Sequence, residues 1–69
     1  MDIREKRQQF GRAVRELRVT QGLSQTDLGL MISSDKTEIW RIETGRVNAG
    51  IDIVFKLAAA LGVEPRDLF

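Results

Sequence analysis

Cysteine, histidine and tyrosine are absent from this chain, and proline occurs once. Without cysteine there is no disulfide staple and no thiolate metal site. Without histidine as well, the usual zinc spacings and the usual general base are missing. Long apolar runs are missing too. No stretch approaches the roughly 18 residues of a membrane span, and the N-terminus has no signal-peptide core. Nor does one sign of charge dominate: eleven Lys and Arg face ten Asp and Glu, for a formal net charge of +1. The expectation from these absences is a soluble cytoplasmic protein with no metal, no cofactor and no membrane partner. What is present is 69 residues, 42% apolar and 30% charged. That reads as a single domain over residues 1–69. A chain this short buries only about 60% of its extended surface, so it must pack efficiently or associate.

The near-neutral total conceals an uneven layout. Arg4, Lys6, Arg7, Arg12, Arg15 and Arg18 outnumber Asp2, Glu5 and Glu16 in the first eighteen residues. Lys36, Arg41 and Arg46 outnumber Glu38 and Glu43 further on, while the segments between and after them are mildly acidic. Such segregation suits a polyanion-binding face, but it equally suits solvated helix faces.

Helical periodicity dominates, and no segment alternates apolar and polar residues for long. The pattern predicts an all-α fold of five helices, at about 3–20, 24–32, 35–44, 51–61 and 65–68. Asp2 with Glu5 reads as a capping box for the first helix. Ile3, Phe10, Ala13, Val14 and Leu17 then share an arc of about 100°. Gly22, Gly45 and Gly62 read as helix stops, and Gly11 as either a close helix approach or a tolerated cost. Ser24 is a good N-cap for the second helix, with Leu28, Met31 and Ile32 pointing inward. Asp35 with Glu38 reads as a second capping box, opening the third helix. Pro65 suits the first position of a last short turn.

Two short helices joined by about three residues form a helix-turn-helix. The run Leu23-Ser24-Gln25-Thr26-Asp27-Leu28-Gly29, then Ser33-Ser34-Asp35, then Ile39-Trp40-Arg41-Ile42-Glu43-Thr44-Gly45 resembles the Cro/repressor-type, or Xre, helix-turn-helix family. The tail from Ile51 through Ala58-Ala59-Ala60-Leu61-Gly62-Val63 is similar to the same family's fourth helix. The resemblance covers residues 10–69 and implies a compact lambda-repressor-like DNA-binding domain. There are departures. The family usually has Ala where Gly29 stands, Gly where Ser33 stands and an apolar residue where Ser34 stands. Pro is frequent where Ala49 stands. A left-handed backbone costs Ser more than Gly.

Periodicity divides the third helix into an inward side, with Asp35, Ile39, Ile42 and Glu43, and an outward side, with Lys36, Thr37, Trp40, Arg41 and Thr44. Lys and Arg match guanine's two major-groove acceptors; Thr offers a methyl or a hydroxyl to a base edge. The family's docking places the start of this helix in the major groove. The resemblance therefore implies base reading by Lys36, Thr37 and Arg41. Glu38 reads as the cap partner of Asp35 or as an acceptor from cytosine N4. Trp40 reads either as a prop over the second helix or as a sugar-phosphate contact. The resemblance assigns Gln25 a phosphate contact, a role that the second helix's N-terminus supports electrostatically and that Ser24 could share. Arg46 and Asn48 are further backbone candidates; Arg12 and Arg15 are ambiguous. The resemblance also implies a structural ion pair between Arg18 and Glu43.

On the fourth helix Ile53 and Phe55 widen the apolar arc beyond what one small core requires. Either Phe55 folds over the loop, or Ile53, Phe55 and Phe69 form a two-fold homodimer interface. Such a dimer would space two recognition helices about 34 Å apart, one DNA turn. The expected function is a transcriptional regulator binding a palindromic operator in double-stranded DNA. In brevity it resembles restriction-modification controller proteins and small phage or plasmid repressors, hence a bacterial or phage-type, nucleoid-associated setting. The alternative is a helix-turn-helix-shaped protein-interaction module such as an antitoxin. No catalytic constellation appears, so an enzyme is not expected, nor is a small-molecule ligand.

Overall fold

The computed structural model describes residues 2–69. Among them are four α-helices and no strand: α1 (Ile3–Thr20), α2 (Gln25–Met31), α3 (Lys36–Glu43) and α4 (Ile51–Leu61). The fifth expected helix is a single 3-10 turn, Pro65–Leu68. Its bonds run from Asp67 N–H to the Glu64 carbonyl and from Phe69 N–H to the Arg66 carbonyl. Four residues behind a proline are too few to close a succession of i to i−4 bonds, so the tighter i to i−3 pattern is used. No helix among the described residues is long and apolar enough to cross a membrane.

The caps set the helix starts. Asp2 accepts from the Arg4 N–H at 2.9 Å, which makes it an N-cap without the reciprocal Glu5 bond that the spacing predicts. The reciprocal box forms at α2 instead. There the Asp27 N–H donates to Ser24 Oγ and the Ser24 N–H donates to Asp27 Oδ2, both at 2.9 Å. Asp35 caps α3 by accepting from the Glu38 N–H at 2.8 Å. Gly22, Gly45 and Gly62 all take left-handed backbone just past α1, α3 and α4.

The core joins Phe10 and Val14 of α1, Leu28 and Ile32 around α2, Ile39 and Ile42 of α3, Leu57, Ala58 and Leu61 of α4, and Leu68 of the last turn. Each element thus buries one stripe against the others. Ile3 is 57% exposed rather than part of it, because α1 overhangs the core by its first turn. Met31 is 51% exposed, because the buried edge of the short α2 runs from Leu28 to Ile32, four residues apart. Gln21 Nε2 donates to the Leu61 carbonyl at 2.7 Å, tying the end of α1 to the end of α4.

Two approaches fix where α3 stands. A β-carbon on Gly11 would lie 2.6 Å from the Glu43 carbonyl oxygen, so the α1–α3 crossing requires glycine there. Gly29 meets the Asp35 backbone as closely. Between them the chain turns at Ser33, whose φ of 58° is left-handed.

Candidate nucleic-acid interface

The inward face of α3 is sealed, with Ile39 and Ile42 at 0% and 2% exposure. Its outward face stands free: Lys36, Thr37, Trp40, Arg41 and Thr44 are all exposed. This split follows from the 3.6-residue period of a helix pinned by two isoleucines three residues apart. The result is a rod with two cations, two threonines and a tryptophan on its open side.

The neighbours of that rod are ordered by specific bonds. The Arg46 guanidinium lies 5.0 Å over the Trp40 ring, and Trp40 keeps 43% of its surface exposed. Trp40 is thus partly open to solvent and forms a cation–π pair with Arg46. Thr44 Oγ1 donates back to the Trp40 carbonyl at 2.8 Å, so that hydroxyl serves the helix end. The Glu38 amide serves the Asp35 cap, while its carboxylate makes no hydrogen bond to Asp35. Ser24, Arg46 and Asn48 are exposed and Gln25 is half-buried.

Beneath this surface lies a polar knot. Arg18 Nε donates to Glu43 Oε2 at 2.6 Å and its second nitrogen to Oε1 at 3.0 Å. The side chains are 11% and 2% exposed. The hydrogen bond to Glu43 raises the Arg18 pKa above its ordinary value, against an opposing cost of burial. Arg18 also donates to the Leu23 carbonyl at 2.8 Å, and Gln25 Nε2 donates to Glu43 Oε1 at 3.2 Å. One carboxylate thus ties α1, the entry to α2, and α3 together. The Ser24 N–H, and then the Ser24 hydroxyl, hold the exposed Asp27 carboxyl below its usual range.

Sequence reasoning missed three of these features. The Ser24–Asp27 box was visible as a Ser-x-x-Asp spacing. The Arg46–Trp40 stack and the Gln25–Glu43 bond join residues of different segments, and no local signal marks them. On α4 Phe55 is 55% exposed. Ile53 is half-buried against the core, and Ile51, one turn before Phe55, is 70% exposed. Phe69 stacks on Phe10 at 5.2 Å between ring centroids yet keeps 72% of its surface exposed.

Comparison with known proteins agrees with this geometry. The Helix-turn-helix family model HTH_3 matches residues 14–68. Control protein C.BamHI of Bacillus amyloliquefaciens is 38% identical over 60 residues, covering 86% of this chain and 74% of that protein. The crystal structure of the restriction-modification controller protein C.AhdI from Aeromonas hydrophila superposes with a TM-score of 0.86 at 40% identity. It covers 90% of this chain and 94% of its own. A hypothetical transcription factor, NHTF from Neisseria, gives a TM-score of 0.88 at 32% identity, covering 99% of this chain and 78% of its own. With four helices, a turn at Ser33 between α2 and α3 and these relatives, the chain belongs to the Xre/Cro-type helix-turn-helix family, HTH_3, and is homologous to the controller proteins C.BamHI and C.AhdI.

Proposed function

We propose that this protein is a DNA-binding transcriptional regulator of the controller type, not an enzyme, which reads a palindromic operator as a homodimer. The observation that carries the reading is the open face of α3, where Lys36, Thr37 and Arg41 are exposed above the sealed Ile39 and Ile42. A helix of this kind enters the major groove with its first residues at the base edges. Lys36 and Arg41 offer donors to guanine, and Thr37 offers contact to a thymine methyl. To Gln25, Ser24, Trp40, Arg46 and Asn48 this reading assigns the grip on the sugar-phosphate backbone, which sets register without reading sequence. The family membership and its controller relatives support the same reading.

The dimer rests on the exposed apolar side of α4. Phe55 and the outer part of Ile53, with Phe69 beyond them, leave more apolar surface open than a lone domain of 69 residues needs. Closing that face on a two-fold axis aligns two copies of α3 with successive turns of one DNA groove.

The test is selection of bound sequences from random duplex DNA, with the stoichiometry measured on the winners. A palindrome bound by two chains is the expected outcome. Failure to enrich any sequence, together with binding that ignores salt, would overturn the reading, because duplex binding by cations releases counterions.

A further inference from the structure

Arg46 is placed by two separate devices. The first is the end of α3. The Arg46 N–H donates to the Arg41 carbonyl at 2.9 Å and the Gly45 N–H to the Ile42 carbonyl at 3.1 Å, with Gly45 in left-handed backbone at a φ of 73°. In this Schellman closure the residue after the left-handed one folds back on the last turn, where it frequently makes an apolar contact. Here that residue is an arginine, and the second device is the indole it meets. The guanidinium carbon lies 5.0 Å from the centre of the Trp40 ring. A ring face attracts a cation without supplying a carboxylate to neutralise it. Among the described residues no carboxylate lies within ion-pair distance of Arg46, and its side chain is exposed. Its planar fork of N–H donors is thus left open to a phosphate. A long side chain that is ordered only on binding loses affinity to the lost rotamer freedom; one already held against a ring loses less.

We propose that Trp40 is a positioning residue for the DNA contact: its ring holds the Arg46 guanidinium ready for a backbone phosphate, and the indole acts through that arginine rather than by touching DNA itself. This rests on the DNA-binding reading above, and narrows the part that Trp40 has in it.

The test uses variants of the whole chain, shown to be folded by circular dichroism, on a duplex taken from the selection. Trp40→Leu keeps apolar bulk and removes the ring face. It should weaken binding about two- to fivefold, the scale of an exposed cation–π contact. It should also lower the salt dependence towards that of Arg46→Ala. Added to Arg46→Ala it should cost almost nothing, because the group it serves is gone. Trp40→Phe keeps a ring and loses the indole N–H, so it should bind within about twofold of the parent. Trp40 is the sole tryptophan and there is no tyrosine, so fluorescence of the free protein reads the pair directly. Arg46→Ala should raise its quenching by acrylamide, a neutral quencher.

Three results would overturn the inference. A Trp40→Leu loss that persists in full beside Arg46→Ala, or that Trp40→Phe shares in full with salt dependence unchanged, means that the indole touches DNA itself. Trp40→Leu binding as tightly as the parent means that the ring does nothing for affinity. Quenching that ignores Arg46→Ala means that the two side chains do not meet in solution. Each leaves DNA binding itself standing. A parent that binds no duplex at all removes the DNA-binding reading, and the inference with it.

Discussion

Gly29 of α2 faces the backbone of Asp35 so closely that a β-carbon on it would lie 2.6 Å from the Asp35 carbonyl carbon. The atoms in the way are main chain, and they belong to the N-cap of α3. Gly29→Ala gains roughly 1 kcal/mol of helix propensity. It must also push α3 away from α2, and overpacking of this sort costs about 1–3 kcal/mol. The expected net result is a lower melting temperature, with DNA affinity falling further than the lost stability explains. Thermal melting and a titration at one temperature separate the two effects.

Ser33 carries the opposite opportunity. Its φ of 58° places an L-residue in left-handed backbone, at a cost of roughly 1–2 kcal/mol that glycine avoids. Part of that gain is returned as chain entropy in the unfolded state. Ser33→Gly should therefore stabilise by somewhat under 1 kcal/mol, raising the melting temperature by a few degrees in a domain this small. A fall in melting temperature would show that the Ser33 side chain contributes something the backbone angle does not reveal.

These two positions also mark how far the sequence could be read. Helix ends were legible because caps and stops are local: Ser24, Asp35, Gly45 and Gly62 each act within a few residues of themselves. The open and sealed faces of α3 were legible because a single period governs both. The fifth helix was legible as a turn but not as 3-10, since the same Pro65 signal opens either kind of turn and only the bond pattern tells them apart. Ile3 and Met31 were misplaced because periodicity says which residues share a face, not how far the core extends beneath it. Of the site, the outward cations could be read from residues 36–41. The Gln25–Glu43 bond and the Arg46–Trp40 stack could not, because they depend on the crossing of separate helices.

The Arg18–Glu43 pair should show the asymmetry of buried charges. Arg18→Met alone strands a carboxylate that is 2% exposed, and breaking such a pair costs roughly 3–5 kcal/mol. The double change to methionine removes both charges and should recover most of that loss. Chemical denaturation of the parent, both single variants and the double variant gives the cycle. Equal destabilisation by the single and double changes would mean that Glu43 is not penalised by losing its partner.

Acid should loosen α2 through Asp27. Its folded pKa lies below the ordinary aspartate value, first because the Ser24 N–H donates to it and then because of the Ser24 hydroxyl. A lowered folded pKa means that the unfolded chain takes up the proton first. The contribution is therefore fully present above the unfolded value of about 4, and is lost as pH falls through the folded one. Melting temperatures measured downward from pH 6 should drop less steeply below about pH 4 for Asp27→Asn than for the parent. Parallel curves would remove Asp27 from the acid response.

Arg41 and Arg46 lie close in sequence but should fail differently. Arg41 projects from the open face of α3, whereas Arg46 lies on the Trp40 ring in the loop that follows. A base reader carries information about one position. Arg41→Ala should cost about 1–3 kcal/mol on the best duplex and relax preference at a single base pair. A phosphate contact carries none. Arg46→Ala should weaken every duplex alike and reduce the slope of log affinity against log salt by about one. Both residues are exposed. Arg41→Ala should move stability by no more than about 0.5 kcal/mol, whereas Arg46→Ala gives up the contact with Trp40 and should cost about 0.5–1 kcal/mol. Repeating the selection with each variant, alongside a salt titration, reads both quantities. If Arg41→Ala lowers the salt slope while the preferred sequence stays intact, Arg41 grips the backbone, and the major-groove assignment of this face must move to Lys36 and Thr37.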